Sequence, residues 1–141
     1  MTVDIRRAGA GTEAEVRAAE ALFDDPVDLE AARRFIASDA NVLLIAYADG
    51  APAGFVSGTE LSHPDKSAPE MFLNELAVDE AFRSRGIGRA LASELWRVAQ
   101  ARGCRGMWVL TDDDNVPANR VYSAAGGMRV GAQLMYQWGE S

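Results

Sequence analysis

The 141-residue chain is poor in the residues that build covalent and metal scaffolds. It holds one cysteine, Cys104, and one histidine, His63. A disulfide framework and a Cys/His metal site are therefore excluded, and no metal is expected. A Ser-His-Asp hydrolase is excluded as well, unless His63 is its base. No apolar run approaches the roughly 20 residues that span a bilayer. The opening stretch MTVDIRRAGAGTEAE has neither an apolar run nor a small-residue cleavage site, so no secretion signal is read there. A cytoplasmic protein without a membrane partner is expected. Positive charge is in short supply, since 14 Lys and Arg face 21 Asp and Glu for a net charge of -7. Nucleic acid is an unsuitable partner for such a balance, and a cationic small molecule suits it better.

What is present suits one globular domain over residues 1–141, with 48% hydrophobic and 25% charged residues. Val3 to Arg7 reads as a short edge strand. Thr12 and Glu15 have the spacing of a capping box, which predicts a helix from there to about Phe23, where Asp24, Asp25 and Pro26 break it. A second helix is expected over Leu29 to Ala37. Asn41 to Ala48 is an apolar run of strand length, and Asp49-Gly50 is a strong hairpin signal. Ala53 to Thr59 returns, His63 to Pro69 reads as a polar loop, and Glu70 to Val78 is the next strand. A long amphipathic helix follows from Ile87 to about Arg102, stopped by Gly103. Met107 to Thr111 is a buried strand. Pro117 opens a helix that runs to Ala125 and ends at Gly126-Gly127. Two short strands, near Met128 to Gly131 and Gln133 to Trp138, are expected to close the fold. This order indicates an α/β (α+β) mixed sheet with helices on both faces.

The chemistry-bearing stretch is Leu76-Ala77-Val78 followed by Arg83-Ser84-Arg85-Gly86-Ile87-Gly88-Arg89-Ala90. A strand there ends in a basic turn that opens the long helix. The first amides of a helix have no internal partners, and its dipole is positive at that end. Two glycines let a ligand approach the backbone. The turn suits an anion such as a pyrophosphate, or it is simply a glycine-containing helix start with a solvated basic face. A dinucleotide fingerprint would need a third glycine at Leu91, and a nucleoside-triphosphate loop would need Gly-Lys-Ser/Thr; neither is present.

Arg83-x-x-Gly86-x-Gly88 after Leu76-Ala77-Val78 resembles the acyl-CoA pyrophosphate loop of the GNAT N-acetyltransferase superfamily. Asn115-x-x-Ala118-x-x-x-Tyr122-x-x-x-Gly126 resembles its second motif, and the element order matches its mixed, mostly antiparallel sheet. Gly127 departs from the pattern, since many relatives carry phenylalanine there. The resemblance implies acetyl-CoA as cosubstrate. Its pantetheine arm would pair with the main chain near Leu76, Ala77 and Val78, where that strand splays from Met107 to Thr111. Its pyrophosphate would lie on the amides from Arg83 to Arg89, with Ala90 in the first turn behind them. Asn115 and Ala118 would orient the arm, with Tyr122 near the thioester sulfur.

Amine attack on a thioester needs a neutral amine, and at pH 7 only about one alkyl ammonium in a thousand is neutral. A base is therefore useful, as are a proton donor for the departing thiolate and an amide for the oxyanion. Glu75, a charge within an apolar strand, is the candidate base, or else an arginine satisfies it structurally. Tyr122 is the candidate acid, or else a packing aromatic. His63 reads as a surface bystander and Cys104 as a small core residue.

Three features resemble the class I aminoglycoside 3-N-acetyltransferases within that superfamily. They are a carboxylate directly before Leu76-Ala77-Val78, the loop from Glu60 to Pro69, and the acidic turn Thr111-Asp112-Asp113-Asp114 before Pro117-Ala118. Asn115-Val116 departs from that group, where acidic residues are more usual. The resemblance implies an aminoglycoside acceptor acetylated on its 3-amino group, held by Asp112, Asp113, Asp114 and Asp25. The acidic turn also suits a solvated cap on a helix dipole, and the Asp24, Asp25, Asp28 cluster a surface role. A polyamine or peptide N-terminus as acceptor, and a non-catalytic acyl-CoA-binding module, stay open. The superfamily's habit and the apolar C-terminal stretch with Met135, Tyr136 and Trp138 point to a homodimer.

Overall fold

Side chains alternate across a strand, and the run NVLLIAYA uses both faces of its strand. Leu44 and Ala46 enter one core, and Leu43 and Ile45 enter another on the opposite side. That pattern places the strand in the middle of a sheet covered on both sides. The structure, a computed structural model, describes residues 1–140. Strands β1 (Val3–Arg7), β2 (Asn41–Ala48), β3 (Ala51–His63), β4 (Lys66–Val78) and β5 (Met107–Trp108) form one sheet in sequential order. The first four pair antiparallel, and β5 joins β4 parallel.

Helices α1 (Glu13–Ala18) and α2 (Leu29–Ala37) cover one face through Val16 and Ile36, against Leu43, Ile45 and Phe55. Helices α3 (Ile87–Ala101) and α4 (Val116–Ala124) cover the other. Leu91 and Leu95 of α3 are fully buried there, each contributing about 1.5–3 kcal/mol. The mixed sheet with helices on both faces is as the sequence indicates.

Local chemistry explains most boundaries. Asp28 caps α2 by accepting from the Ala31 N–H at 3.0 Å, and Asn115 caps α4 by accepting from the Ala118 N–H at 3.2 Å. Asp49 and Gly50 have φ of 49° and 87°, as a two-residue hairpin turn requires. Four expectations are corrected. Thr12 Oγ1 donates to Gly9 O at 2.7 Å, so no capping box forms, and α1 stops at Ala18 before a 3-10 turn over Glu20–Leu22. The stretch from His63 to Pro69 is a hairpin end, since Leu61 pairs with Glu70 and His63 with Lys66. β5 ends at Trp108 instead of Thr111, with no pair to β4 beyond Phe72 and Trp108, and the stretch is not buried, since Trp108 and Leu110 are exposed. No strand forms near Met128 to Gly131 or Gln133 to Trp138, where the backbone finds no neighbour to pair with.

Candidate active site

The parallel ladder between β4 and β5 consists of Met71 with Met107 and Phe72 with Trp108. Beyond Phe72 the strands part, while β4 continues to Val78 on its pairing with β3. From Leu73 to Val78, the edge of β4 that faces away from β3 is thus left without a strand. Such an edge offers main-chain donors and acceptors to an extended ligand.

β4 ends at a capped turn, in which Asp79 accepts from the Ala81 N–H at 2.9 Å. Ser84 and Gly86 then adopt left-handed backbone, with φ of 61° and 81°, and α3 begins at Ile87. Among the described residues, the N–H groups of Arg85 through Arg89 have no main-chain acceptor. Nor does a carboxylate pair with Arg83, Arg85 or Arg89 among those residues. Arg83 donates to Val78 O at 3.2 Å, and Arg85 lies over the Phe82 ring. A Cβ on Gly86 would meet open space, so this cradle is accessible. Ile87 and Gly88 are buried where α3 begins. Gly88 also has a packing reason, since a Cβ there would lie 3.2 Å from Val121 of α4. Ala90 is half-buried one step further along α3.

A bulge sets the direction of Glu75. Ser57 pairs with Glu75 while the next β3 residue, Gly58, pairs with Leu73, so Asn74 is the extra residue of β4. Before the bulge, odd-numbered Met71 and Leu73 enter the core under α3; after it, even-numbered Leu76 and Val78 do. Glu75 is thereby moved to the opposite face, beside Ser57 and the helix junction before α2. Without the extra residue its carboxylate would point into the apolar core.

Two cavities meet at Glu75. One, of about 280 Å³, is lined by Leu22, Phe23, Asp24, Phe55, Asn74, Glu75, Leu76, Ala77, Thr111, Asn115, Ala118 and Tyr122. The other, of about 330 Å³, is bounded by α1 and α2 and includes Asp24, Asp25, Asp28, Ser57 and Glu75. Phe23, Asp24 and Glu75 border both, and Phe23 stacks on Phe55 at 4.2 Å between ring centroids. Burial pushes the Tyr122 phenol up from its ordinary value of 10.0. The Asp28 carboxyl is held below its usual value, chiefly by the Ala31 N–H.

Of the residues singled out in the sequence, Glu75, Leu76, Ala77, Asn115, Ala118 and Tyr122 thus share one cleft, and Asp25 lies in the adjoining cavity. Val78, half-buried at the end of β4, leads to the basic turn. Asp112, Asp113 and Asp114 are exposed and border neither cavity. Asp113 is paired with Arg129 at 2.7 Å, while Thr111 at the head of that turn does reach the cleft. Ser57, Asn74 and Phe23 were not singled out. Ser57 is buried with its hydroxyl unpartnered among the described residues. His63 is held by Glu70 at 3.0 Å, and Cys104 is buried. Among the described residues no group of three His, Cys, Asp or Glu is placed to hold a metal ion, and no helix is long and apolar enough to cross a membrane.

The sequence profile of the acetyltransferase (GNAT) family matches residues 4–127. N-alpha-acetyltransferase RimI of Mycobacterium tuberculosis is 33% identical over 133 residues, covering 94% of this chain and 80% of that protein. Aminoglycoside N(6')-acetyltransferase type 1 of Salmonella typhimurium is 29% identical over 105 residues, 72% of each chain. The structure of AAC(6')-Iy in complex with a CoA-S-monomethyl-acetylneamine bisubstrate analogue superposes with a TM-score of 0.82. It is 25% identical, with 98% of this chain and 99% of that one covered.

Proposed function

The chain belongs to the acetyltransferase (GNAT) family and is an acetyl-CoA-dependent N-acetyltransferase; from that premise we propose that it acetylates an amine of an aminoglycoside in the cytoplasm. The observation that carries this reading is the acidic cavity. Asp24, Asp25, Asp28 and Glu75 line a space that opens at Glu75 onto the cleft holding Tyr122. A sugar with several ammonium groups is drawn to such a wall, and its reacting amine can project toward Glu75. Acetylation turns that ammonium into a neutral amide, the kind of change that underlies antibiotic resistance.

The residues present fit acetyl-CoA. The unpartnered amides of Arg85 through Arg89 and the three unpaired arginines suit its pyrophosphate, and the free edge of β4 suits its amide-bearing arm. The thioester supplies an activated acetyl group. Glu75 takes the proton from the ammonium, directly or through a water. Tyr122 retains its proton through the neutral range and is the donor for the departing sulfur.

The 3-amino position implied by resemblance finds no counterpart among these relatives. The two aminoglycoside enzymes compared above are of the 6' type, which favours the 6'-amino group here. A second reading, acetylation of a peptide N-terminus, is favoured by the RimI relative that covers 94% of this chain. Thiol release from acetyl-CoA tests both readings. The panel comprises gentamicin-like and fortimicin-like aminoglycosides, a basic peptide with a free N-terminus, and a simple polyamine. Acetylation of an aminoglycoside, with NMR of the product assigning the nitrogen, is the expected result. Turnover of the peptide or polyamine alone contradicts the aminoglycoside reading. No thiol release with any amine, together with tight acetyl-CoA binding, would indicate an acyl-CoA-binding module.

A further inference from the structure

The cavity bounded by α1 and α2 has two unlike ends. Its rim is acidic, formed by the exposed Asp24, Asp25 and Asp28. Its interior is apolar, walled by the half-buried Ala32 and Phe35 and the buried Val16, Ile36 and Leu43. Those three buried residues belong to the core on that face of the sheet, so the cavity reaches from the charged surface into the core. Among the described residues, Ser57 is the one uncharged polar side chain that borders it. Ser57 is 4% exposed and its hydroxyl has no partner among those residues. It pairs with Glu75 across the strands, so both side chains stand on the same face.

Each part of this surface selects what can fill it. Packed interiors leave few voids larger than a water molecule, so a space of about 330 Å³ walled by core side chains is a place for a ligand. Ligand sites run from roughly 300 to 1,000 Å³, and one at the small end admits a single ring or a single side chain. A ring with a hydroxyl on each carbon finds one uncharged partner there, Ser57. Its remaining hydroxyls would lose water and gain no hydrogen bond. A deoxygenated ring or an alkyl group carries no such penalty and gains by burial. Cationic groups belong at the aspartates of the rim. The reacting amine belongs at Glu75, where the cavity meets the cleft that holds Tyr122.

Resting on the reading of this cavity as the acceptor site, we infer that the acceptor is an amphiphilic amine. An apolar carbon group attached beside the reacting nitrogen occupies the interior, and further cationic groups stay at the rim. Two kinds of amine share this chemistry. One is an aminoglycoside whose entering ring lacks hydroxyls; the other is a peptide N-terminus whose first side chain is apolar. A fully hydroxylated amino sugar is selected against. Ala32 controls the space, because its side chain is a single methyl on the α2 wall. A longer side chain at that position would take up the interior, away from Tyr122, which borders only the other cavity.

Matched amines test this inference, by thiol release from acetyl-CoA and by calorimetric titration of the full chain with CoA present. The first pair is cyclohexylmethylamine and 6-amino-6-deoxyglucose, which share an aminomethyl six-membered ring and differ in their oxygens. The second is a pair of aminoglycosides with and without hydroxyls on the amino-sugar ring. The third is a dipeptide with leucine first and its counterpart with serine first. The less hydroxylated member should have Kd and KM lower by about 10–200-fold, the range that small changes in an apolar pocket produce. Ala32→Leu should remove most of that preference, with acetyl-CoA still bound as the sign of a folded variant. Equal Kd within every pair, or no binding of any amine, overturns the inference; so does a preference that Ala32→Leu leaves whole. A preference confined to the peptide pair supports the inference and overturns the aminoglycoside reading. Unequal Kd values without thiol release support it and overturn acetylation of these amines. Should Ala32→Leu fail to fold, the pairs on the unaltered chain decide.

Discussion

Tyr122 is built to keep its proton. Burial disfavours the phenolate, so its titration is moved above 10.0. The folded chain thus binds this proton more tightly than the unfolded chain does. The phenol leaves stability flat below its ordinary value and lowers it as pH rises past 10 toward the raised value. Its acid form is present throughout the neutral range, so a rate loss from Tyr122 ionisation is expected only above pH 10. Tyr122→Phe removes the hydroxyl and little packing. A loss of about 10²–10⁴ in kcat with unchanged acetyl-CoA affinity is expected from steady-state kinetics and calorimetry. Wild-type turnover would reduce Tyr122 to a packing residue. Glu75→Gln should lower kcat by about 10²–10⁴ with acetyl-CoA affinity kept; an unchanged kcat would move the base elsewhere. Ser57 presents a different case. Its buried hydroxyl has no partner among the described residues, so Ser57→Ala should leave stability unchanged or raise it by about 1 kcal/mol in a denaturant titration. A loss above that size would mean that the hydroxyl is hydrogen-bonded.

The turn between β4 and α3 carries the cofactor reading. Gly86 has φ of 81°, a conformation that costs an ordinary residue about 1–2 kcal/mol. Gly86→Ala separates that strain from the effect of charge. Gly86→Glu should lose acetyl-CoA binding in a calorimetric titration, while Gly86→Ala keeps most of it; equal affinity in both would remove the pyrophosphate from this turn. The sequence made this turn legible because glycines and arginines are spaced along the chain itself. The bounds of α2 and β2 were legible for a similar reason, since Asp28 and Asp49-Gly50 are local stop signals. The bulge at Asn74 was not. It depends on the register of β4 against β3, which a single strand does not reveal. The acidic turn drew attention as a run of charge, yet its side chains are exposed and Asp113 meets Arg129. The two final strands expected from the apolar pattern do not form, because a strand forms only against a neighbour.

At the scale of the whole molecule, charge and cavity act together. The net charge of -7 attracts a polycation from a distance, and the carboxylates of the helix-junction cavity hold it close. Attraction of this kind is screened, since the Debye length falls from about 10 Å at 0.1 M salt to about 3 Å at 1 M. The acceptor KM should therefore rise with salt while kcat changes little; a salt-independent KM would assign acceptor binding to uncharged contacts. The most direct test is the acceptor KM of the double variant Asp24→Asn, Asp25→Asn. Partly exposed ion pairs contribute about 0.2–1 kcal/mol each, so KM for an aminoglycoside should rise about two- to thirty-fold, with kcat and acetyl-CoA affinity retained. An unchanged KM would contradict acceptor binding in this cavity.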